Sequence, residues 1–203
     1  MTRRFTGDTL VVATHNAGKL AEFSYFLAPL GINCLSASDL NLAEPQETED
    51  SFLGNARIKA HFAAKSSGLP SLADDSGLAI DALGGAPGVY TADWATTSAG
   101  RDFIMAMEKT WRLLEERGAP CPRLAKFCCT LVLAWPDGHD EHVEGICKGQ
   151  LVWPRRGVDG HGYDPMFQPD RSPLTFAEMP PEQKNSISHR FDAVKKMLAL
   201  CFT

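Results

Sequence analysis

The stretch TLVVATHNAGKLAEFSYFLAPL, residues 9–30, decides the fold class. Residues 9–16 are apolar and β-branched up to a polar end, which predicts a buried strand covered on both faces. Apolar side chains then recur at helical spacing, which predicts a helix from about Ala17 to Leu30 that ends before Gly31. A strand that leads directly into a helix is the opening of an α/β unit.

The rest of the chain continues this pattern. Periodicity predicts helices over residues 51–67, over 103–117 and from Ser186 to the end, and strands in LPSLADD (69–75), AKFCCTLVLAW (125–135) and HVEGICKGQLVW (142–153). The Pro-Asp-Gly between the last two predicts a tight turn, and GGAPG (84–88) predicts a rigid loop. Because there is no repeat and no linker, we expect a single domain over residues 1–203.

Charge and hydropathy limit the partners. The net charge is −5 and the pI is about 5.7, so we expect no general attraction to nucleic acid or to an anionic membrane. No apolar run approaches the roughly 18 residues of a membrane helix, and the N-terminus lacks a signal-peptide pattern. We therefore expect a cytoplasmic protein.

The six cysteines form no CxxC pair, which favours reduced thiols in the core over a disulfide or metal framework. His139 and His142 lie in PDGHDEH, a predicted hairpin tip without partners at zinc-ligand spacing.

Two adjacent acids, Asp74 and Asp75, stand in SLADDSGLAID (71–81), where a strand is predicted to end in a Ser-Gly turn. Buried carboxylates are costly unless they are paired, hydrogen-bonded or bound to a cation.

The first strand–helix junction, residues 14–19, is polar. A helix N-terminus binds phosphate well, and Thr14, Asn16 and Lys19 would add hydrogen bonds and charge. The alternative is an ordinary N-cap at Asn16 beside a surface lysine. The spacing does not match a P-loop.

A second polar group surrounds the helix at 51–67. Asn55 and Lys59 are four residues apart and share one face. The preceding EPQETEDS (44–51) is either a solvated acidic loop or the source of a Mg²⁺ ligand, since Mg²⁺ prefers oxygen ligands.

Polar groups suited to a nucleobase come late in the chain. DGHGYDP (159–165) is a glycine-rich loop that allows close approach of a flat ligand. EQKNSISHRF (182–191) places Lys184, His189 and Arg190 around a helix start, where the helix dipole disfavours cations. That local conflict indicates function rather than stability.

Five ordered motifs resemble the inosine/xanthosine triphosphate pyrophosphatase family over about residues 10–200: ATHNAGK (13–19), ETEDSFLGNARIKA (47–60), ADDSGLAIDALGGAPGVYTA (73–92), GHGYDPMF (160–167) and EQKNSISHR (182–190). The resemblance implies an elongated mixed β-sheet flanked by helices, with two lobes around a central active-site cleft. It also implies a homodimer that uses Mg²⁺ to hydrolyse ITP, dITP and XTP to the monophosphate and pyrophosphate, which cleanses the nucleotide pool.

The resemblance also implies roles by motif position. Asp75 would be the general base and a metal ligand, Glu47 the second metal ligand, and Lys19 and Lys59 would stabilise the departing pyrophosphate. Substrate contacts are implied at Thr14, His15, Asn16, Ala17, Gly18, Lys19, Asn55, Ser76, His161, Gly162, Tyr163, Asp164, Lys184, His189 and Arg190. Glu47 is chosen over Glu49 because a threonine follows it, as in the family motif.

One position departs from the family. Many members have phenylalanine where this chain has His161, a position expected to stack near the base. Imidazole can still stack on a purine.

Base selectivity follows from hydrogen-bond matching. Arg190 or Lys184 can donate to the C6 carbonyl of hypoxanthine or xanthine, whereas adenine presents an amino group there.

The sequence leaves three alternatives: a related pyrophosphatase for pyrimidine or methylated nucleotides, a nucleotide-binding regulator without catalysis, and a structural or interaction domain.

Overall fold

The fold is α/β, and the computed structural model describes residues 2–202. Its strands are β1 (Thr9–Val12), β2 (Asn33–Ser36), β3 (Ser71–Ile80), β4 (Thr96–Thr97), β5 (Gly100–Arg101), β6 (Arg123–Ala134), β7 (Asp140–Leu151) and β8 (Phe167–Pro169). Its helices are α1 (Ala17–Leu27), α2 (Phe52–Ser67), α3 (Phe103–Glu116), α4 (Pro181–Ile187) and α5 (His189–Met197), followed by a π turn over Leu198–Phe202.

Six of the strands form one mixed sheet in the order β2-β1-β3-β6-β7-β8, and β4 pairs with β5 in a small antiparallel ribbon. The first strand, β1, lies parallel to both β2 and β3, whereas β8 lies antiparallel to β7. The predicted mixed sheet with helices is therefore confirmed.

Sequence periodicity located most of these elements. The first predicted helix is α1 followed by a 3₁₀ turn at Ala28–Leu30, and it ends at Gly31 with φ of +69°. The second is α2, where Ser51 is the N-cap and Gly68 the left-handed C-cap. Helix α3 and the two long strands β6 and β7 also lie where they were predicted.

The expectation that a strand ends at Asp75 in a Ser-Gly turn is wrong. Strand β3 runs without interruption through residues 71–80, so both acids lie inside it. The physical reason is its central position, since β1 and β6 pair with it on either side. Pairing and the burial of Leu78 and Ile80 outweigh the local turn preference of Ser and Gly.

Two further elements differ from expectation. The edge strand β2 was not predicted, because four residues with only one buried side chain carry little periodic signal. The last helix does not begin at Ser186: α4 ends at Ile187 and Ser188 adopts extended backbone with ψ of 158°, so α5 begins at His189.

The chain divides into two compact units. The first consists of residues 1–75, 129–145 and 193–203, and the second of residues 76–128 and 146–192. In the first unit, one core cluster contains Phe23 and Leu27 of α1, and another consists of small and branched side chains beneath α2. The second unit has its own core, which includes Phe127, Phe167 and Phe176. The single domain over residues 1–203 stays a prediction.

Within residues 2–202, no helix is long and apolar enough to cross a membrane. The six cysteines are free thiols, and three of them, Cys129, Cys147 and Cys201, are buried.

Candidate active site

The two adjacent acids of β3 contact lysines of two different helices. Neighbouring side chains of a strand point to opposite faces of the sheet. Asp74 accepts a hydrogen bond from Lys19 Nζ of α1 at 2.9 Å, whereas Asp75 Oδ1 lies 3.4 Å from Lys59 Nζ of α2. The preceding residues alternate in the same way, because Leu72 packs in the α1 cluster and Ala73 in the α2 cluster. The pair of acids therefore connects the sheet to a lysine on each face.

Asn16 is the N-cap of helix α1. Asn16 Oδ1 accepts hydrogen bonds from the backbone N–H groups of Gly18 at 2.9 Å and Lys19 at 3.1 Å, and Asn16 N donates to Thr14 Oγ1. The N-cap alternative for Asn16 is thus observed. That alternative also placed Lys19 free on the surface, which is not observed. Instead, Lys19 donates a hydrogen bond to Asp74, which is 4 % exposed.

Helix α2 presents Asn55 and Lys59 to Asp75. Asn55 is held in orientation, since its Oδ1 accepts from Glu49 N at 3.0 Å while its Nδ2 lies 3.4 Å from Asp75 Oδ2. Lys59 Nζ donates to Glu47 Oε1 at 2.7 Å. The acidic loop therefore directs the Glu47 carboxylate to this group and uses the backbone of Glu49.

The electrostatics of this group follow from burial. Desolvation raises the pKa of Asp75 to about 6, and the carboxylates of Glu47 and Asp74 add to the rise against the opposing charges of Lys59 and Lys19. For Lys59, burial alone would lower the pKa. The neighbouring carboxylates of Asp75, Asp74 and Glu47 outweigh it, so the pKa of Lys59 is raised.

The donor chemistry fits a hard divalent cation. Three carboxylates, from Glu47, Asp74 and Asp75, face only two ammonium groups, those of Lys19 and Lys59. In residues 2–202 no group of three or more His, Cys, Asp or Glu side chains forms a metal cluster. Mg²⁺ needs no such cluster, because one or two carboxylates with water and substrate phosphates suffice.

His15 lies at the edge of the same region. Its Nδ1 is 3.2 Å from Ser38 Oγ, and His15 and Lys59 line a small cavity of about 20 Å³ whose other walls are mostly apolar. Ala17 is exposed at the first position of α1.

In the second unit, Asp164 organises the glycine-rich loop. Its Oδ2 accepts from Lys184 Nζ at 2.5 Å and from His161 N at 2.6 Å, and the residue is 4 % exposed. Gly160 has φ of +82°, and a Cβ there would lie 2.3 Å from Asp164 Oδ2. The loop therefore requires glycine at this position for both its backbone angle and its space.

The remaining predicted substrate residues of the second unit differ in exposure. His161 is exposed, Gly162 is half-buried with φ of +64°, and Ser76 is half-buried in β3. Tyr163 is 1 % exposed and packs edge-on against Phe103, so its side chain belongs to the core.

Two basic residues begin α5. The ring of His189 stacks on Phe127 with centroids 4.9 Å apart, and Arg190 follows it, partly buried. Arg190 and His189 thus start the helix as the sequence predicted, although the helix begins three residues later.

Sequence reasoning missed the role of Asp74. The signal was present in the acid pair itself, because strand alternation sends the first acid to the face opposite the second. The turn predicted after Asp75 hid this alternation.

Lysines and carboxylates gathered around a central strand are suited to an enzyme that acts on a phosphorylated substrate with a divalent cation. The Ham1 family model matches residues 10–200, so the chain belongs to the Ham1 family. A dITP/XTP pyrophosphatase of Ruegeria pomeroyi is 62 % identical over 202 residues, which is 100 % of this chain and 99 % of the relative. One of Rhodospirillum centenum is 53 % identical over 200 residues, 98 % of each chain.

Solved structures of related proteins are similar to this chain in fold. A HAM1 protein from Coxiella burnetii superimposes with a TM-score of 0.87 at 35 % identity, covering 94 % of this chain and 96 % of its own. A nucleoside-triphosphatase / dITP/XTP pyrophosphatase from Mycobacterium abscessus gives a TM-score of 0.76 at 38 % identity, covering 94 % and 98 %.

Proposed function

We propose that this chain hydrolyses the non-canonical purine nucleoside triphosphates ITP, dITP and XTP to the monophosphate and pyrophosphate. Membership of the Ham1 family and the dITP/XTP pyrophosphatase relatives over the full chain length support this reaction. The observation that carries it is the buried Asp75 between Lys59 and Asn55, with Lys19 on the neighbouring acid.

Asp75 acts as the general base. With its pKa raised to about 6, the carboxylate is ionised at neutral pH and is more basic than an exposed aspartate. It accepts a proton from the attacking water as the new bond to the α-phosphorus forms. The bond from the α-phosphorus to its bridging oxygen breaks, and pyrophosphate departs with the electron pair.

Lys19, Lys59 and the first turn of α1 bind the triphosphate. Each lysine makes ion pairs in the structure and keeps further N–H donors for phosphate oxygens. The backbone N–H of Ala17 and the Thr14 hydroxyl add donors at the helix N-terminus. Together these groups stabilise the charge on the leaving pyrophosphate.

Mg²⁺ would be held by Glu47 and Asp75 together with substrate phosphate oxygens. When bound, it supplies charge neutralisation and polarisation at the α-phosphoryl group. On this face of the sheet the carboxylates of Glu47 and Asp75 oppose the single ammonium group of Lys59, and the one negative charge in excess supports a divalent cation there.

The purine is recognised by Lys184, Arg190 and His161. Lys184 and Arg190 donate to the C6 carbonyl of hypoxanthine or xanthine, and His161 supplies an exposed ring for stacking. We further propose that the protein acts in the cytoplasm as a homodimer.

The test is pyrophosphate release from inosine, xanthosine, guanosine, adenosine and thymidine triphosphates, with Mg²⁺ and with EDTA. Rapid release from the first two alone, abolished by EDTA, is expected. Release from thymidine triphosphate would contradict purine recognition and leave the catalytic roles in place. No release from any substrate would favour a binding protein without catalysis.

A further inference from the structure

Asp140, at the start of β7, makes a set of contacts to α2 that the reaction described above does not use. Arg57 makes a bidentate contact to the Asp140 carboxylate, with Nε 3.1 Å from Oδ2 and Nη2 3.1 Å from Oδ1. His61 Nε2 lies 2.9 Å from Oδ2, and His142 Nδ1 lies 3.9 Å from Oδ1. Bidentate arginine–carboxylate pairs are among the stronger and more directional hydrogen-bonded contacts.

These contacts lie on the face of α2 opposite its active-site residues. Arg57 and His61 follow Asn55 and Lys59 by two residues each, which is about 200° around a helix. The helix thus has Asp75 bonded to one face, through Asn55 and Lys59, and Asp140 bonded to the other.

The packing of α2 on the sheet runs mostly through small side chains. The underside of α2 includes Ala56, Ala60 and Ala64, which pack with Ala73, Val132 and Ala134 of the sheet, and the partly buried Leu53 packs against this cluster. Side chains form the ridges that lock a helix in place, and alanine contributes only one carbon to a ridge. The contacts of α2 to Asp75 and Asp140 therefore carry a larger share of the restraint on its rotation and axial position.

We propose that Asp140 is a positioning residue for the active site: it fixes the rotation and axial position of α2, and thereby the approach of Lys59 and Asn55 to Asp75. This inference rests on the proposed hydrolase function, in which Lys59 and Asp75 act on the substrate. A misplacement of about 1 Å can reduce a reaction rate by as much as 10²-fold.

The decisive variant is Asp140→Asn, and the same hairpin offers its control. Asp137 also bonds an arginine, Arg3 Nη1 at 2.5 Å, and among residues 2–202 its side-chain hydrogen bonds are to Arg3 and His139 rather than to α2. Pyrophosphate release from inosine triphosphate and amide hydrogen exchange across α2 are measured for Asp140→Asn, Asp137→Asn and Arg57→Gln. We expect kcat to fall about tenfold or more, and exchange across α2 to rise, for Asp140→Asn and Arg57→Gln, with Asp137→Asn near the parent in both.

A double-variant cycle separates positioning from general stability. In a Lys59→Met background, Asp140→Asn should reduce the residual kcat by a smaller factor than in the parent, because one of the two residues that it positions is already lost. Equal losses in both backgrounds, or a kcat for Asp140→Asn within twofold of an active parent, would overturn the inference. An inactive parent would instead contradict the proposed function, and hydrogen exchange would still show whether Asp140 holds α2. Unchanged exchange would then overturn the inference.

Discussion

The ammonium group of Lys59 lies 3.4 Å from Oδ1 of Asp75, and the pKa values of both residues are raised. A simple ion pair would lower the pKa of the acid. Here the desolvation of Asp75 and the nearby carboxylates raise the pKa of Asp75 by more than Lys59 lowers it, so Asp75 stays basic. The same carboxylates raise the pKa of Lys59, so Lys59 stays charged. A base and a permanent cation therefore stand side by side, as expected where a proton is removed and negative charge develops.

Asp75→Asn should lower kcat for inosine triphosphate by about 10²-fold or more, because general-base contributions are of that order. Pyrophosphate release under saturating Mg²⁺ and substrate measures this. Asp81→Asn, a change to an exposed acid just beyond β3, is the control and should leave kcat unchanged. Activity of Asp75→Asn within tenfold of the parent would rule out its role as the base.

The same substitution should stabilise the folded protein at pH 8. The folded-state pKa of Asp75 is about 6, against an ordinary value of 3.8, so the ionised carboxylate costs stability above about pH 6. The cost declines as pH falls from 6 toward 4, where the folded protein binds the proton more tightly than the unfolded chain. Asp75→Asn should gain about 1–2 kcal/mol at pH 8 without divalent cations, allowing for partial neutralisation by Lys59. Urea denaturation at pH 8 and pH 4 tests this, and a gain equal at both pH values would contradict it.

Gly160→Ala should disrupt the loop that carries His161. Its Cβ would lie 2.3 Å from the Asp164 carboxylate, and its φ of +82° adds strain. Gly138→Ala is a matched control, since it has φ of +90° with open space around a Cβ. The control should lose about 1–2 kcal/mol from left-handed backbone, and Gly160→Ala should lose more and raise KM for inosine triphosphate. Equal stability losses would mean that Asp164 moves aside without cost.

Arg190→Ala should weaken catalysis on inosine triphosphate more than on adenosine triphosphate. A guanidinium at the base satisfies the C6 carbonyl of hypoxanthine and meets an amino group in adenine, so its loss removes discrimination. The ratio of kcat/KM values for the two substrates measures the effect. Equal losses for both would remove Arg190 from base recognition, whatever the size of the loss.

Periodicity was sufficient to predict the helices α1, α2 and α3 and the long strands β6 and β7. In α2 the apolar Ala56, Ala60 and Ala63 recur at helical spacing, and all three are buried. The same reasoning failed at Ser76 and Gly77, because local turn preference carries no information about how many strands will pair alongside. Pairing is a long-range property, and β3 lies between β1 and β6.

The candidate site was predictable in its residues and less so in its contacts. Lys19, Lys59, Glu47 and Asp75 were all singled out, and the structure joins Lys59 to both Glu47 and Asp75. The Lys19–Asp74 pair and the Asp140 contacts were not predicted, since they span 55 residues and up to 83 residues of sequence. Separations of this size leave no periodic pattern for a single sequence to reveal.

Strand alternation at Asp74 and Asp75 also constrains how this protein can change over evolutionary time. Inserting or deleting a single residue between Leu72 and Asp75 would exchange the faces of all residues beyond it and give each lysine the wrong neighbour. A substitution at one of these positions changes the side chains on one face of the sheet, whereas an insertion or deletion changes the side chains on both faces. This segment should therefore diverge by replacement alone, at constant length.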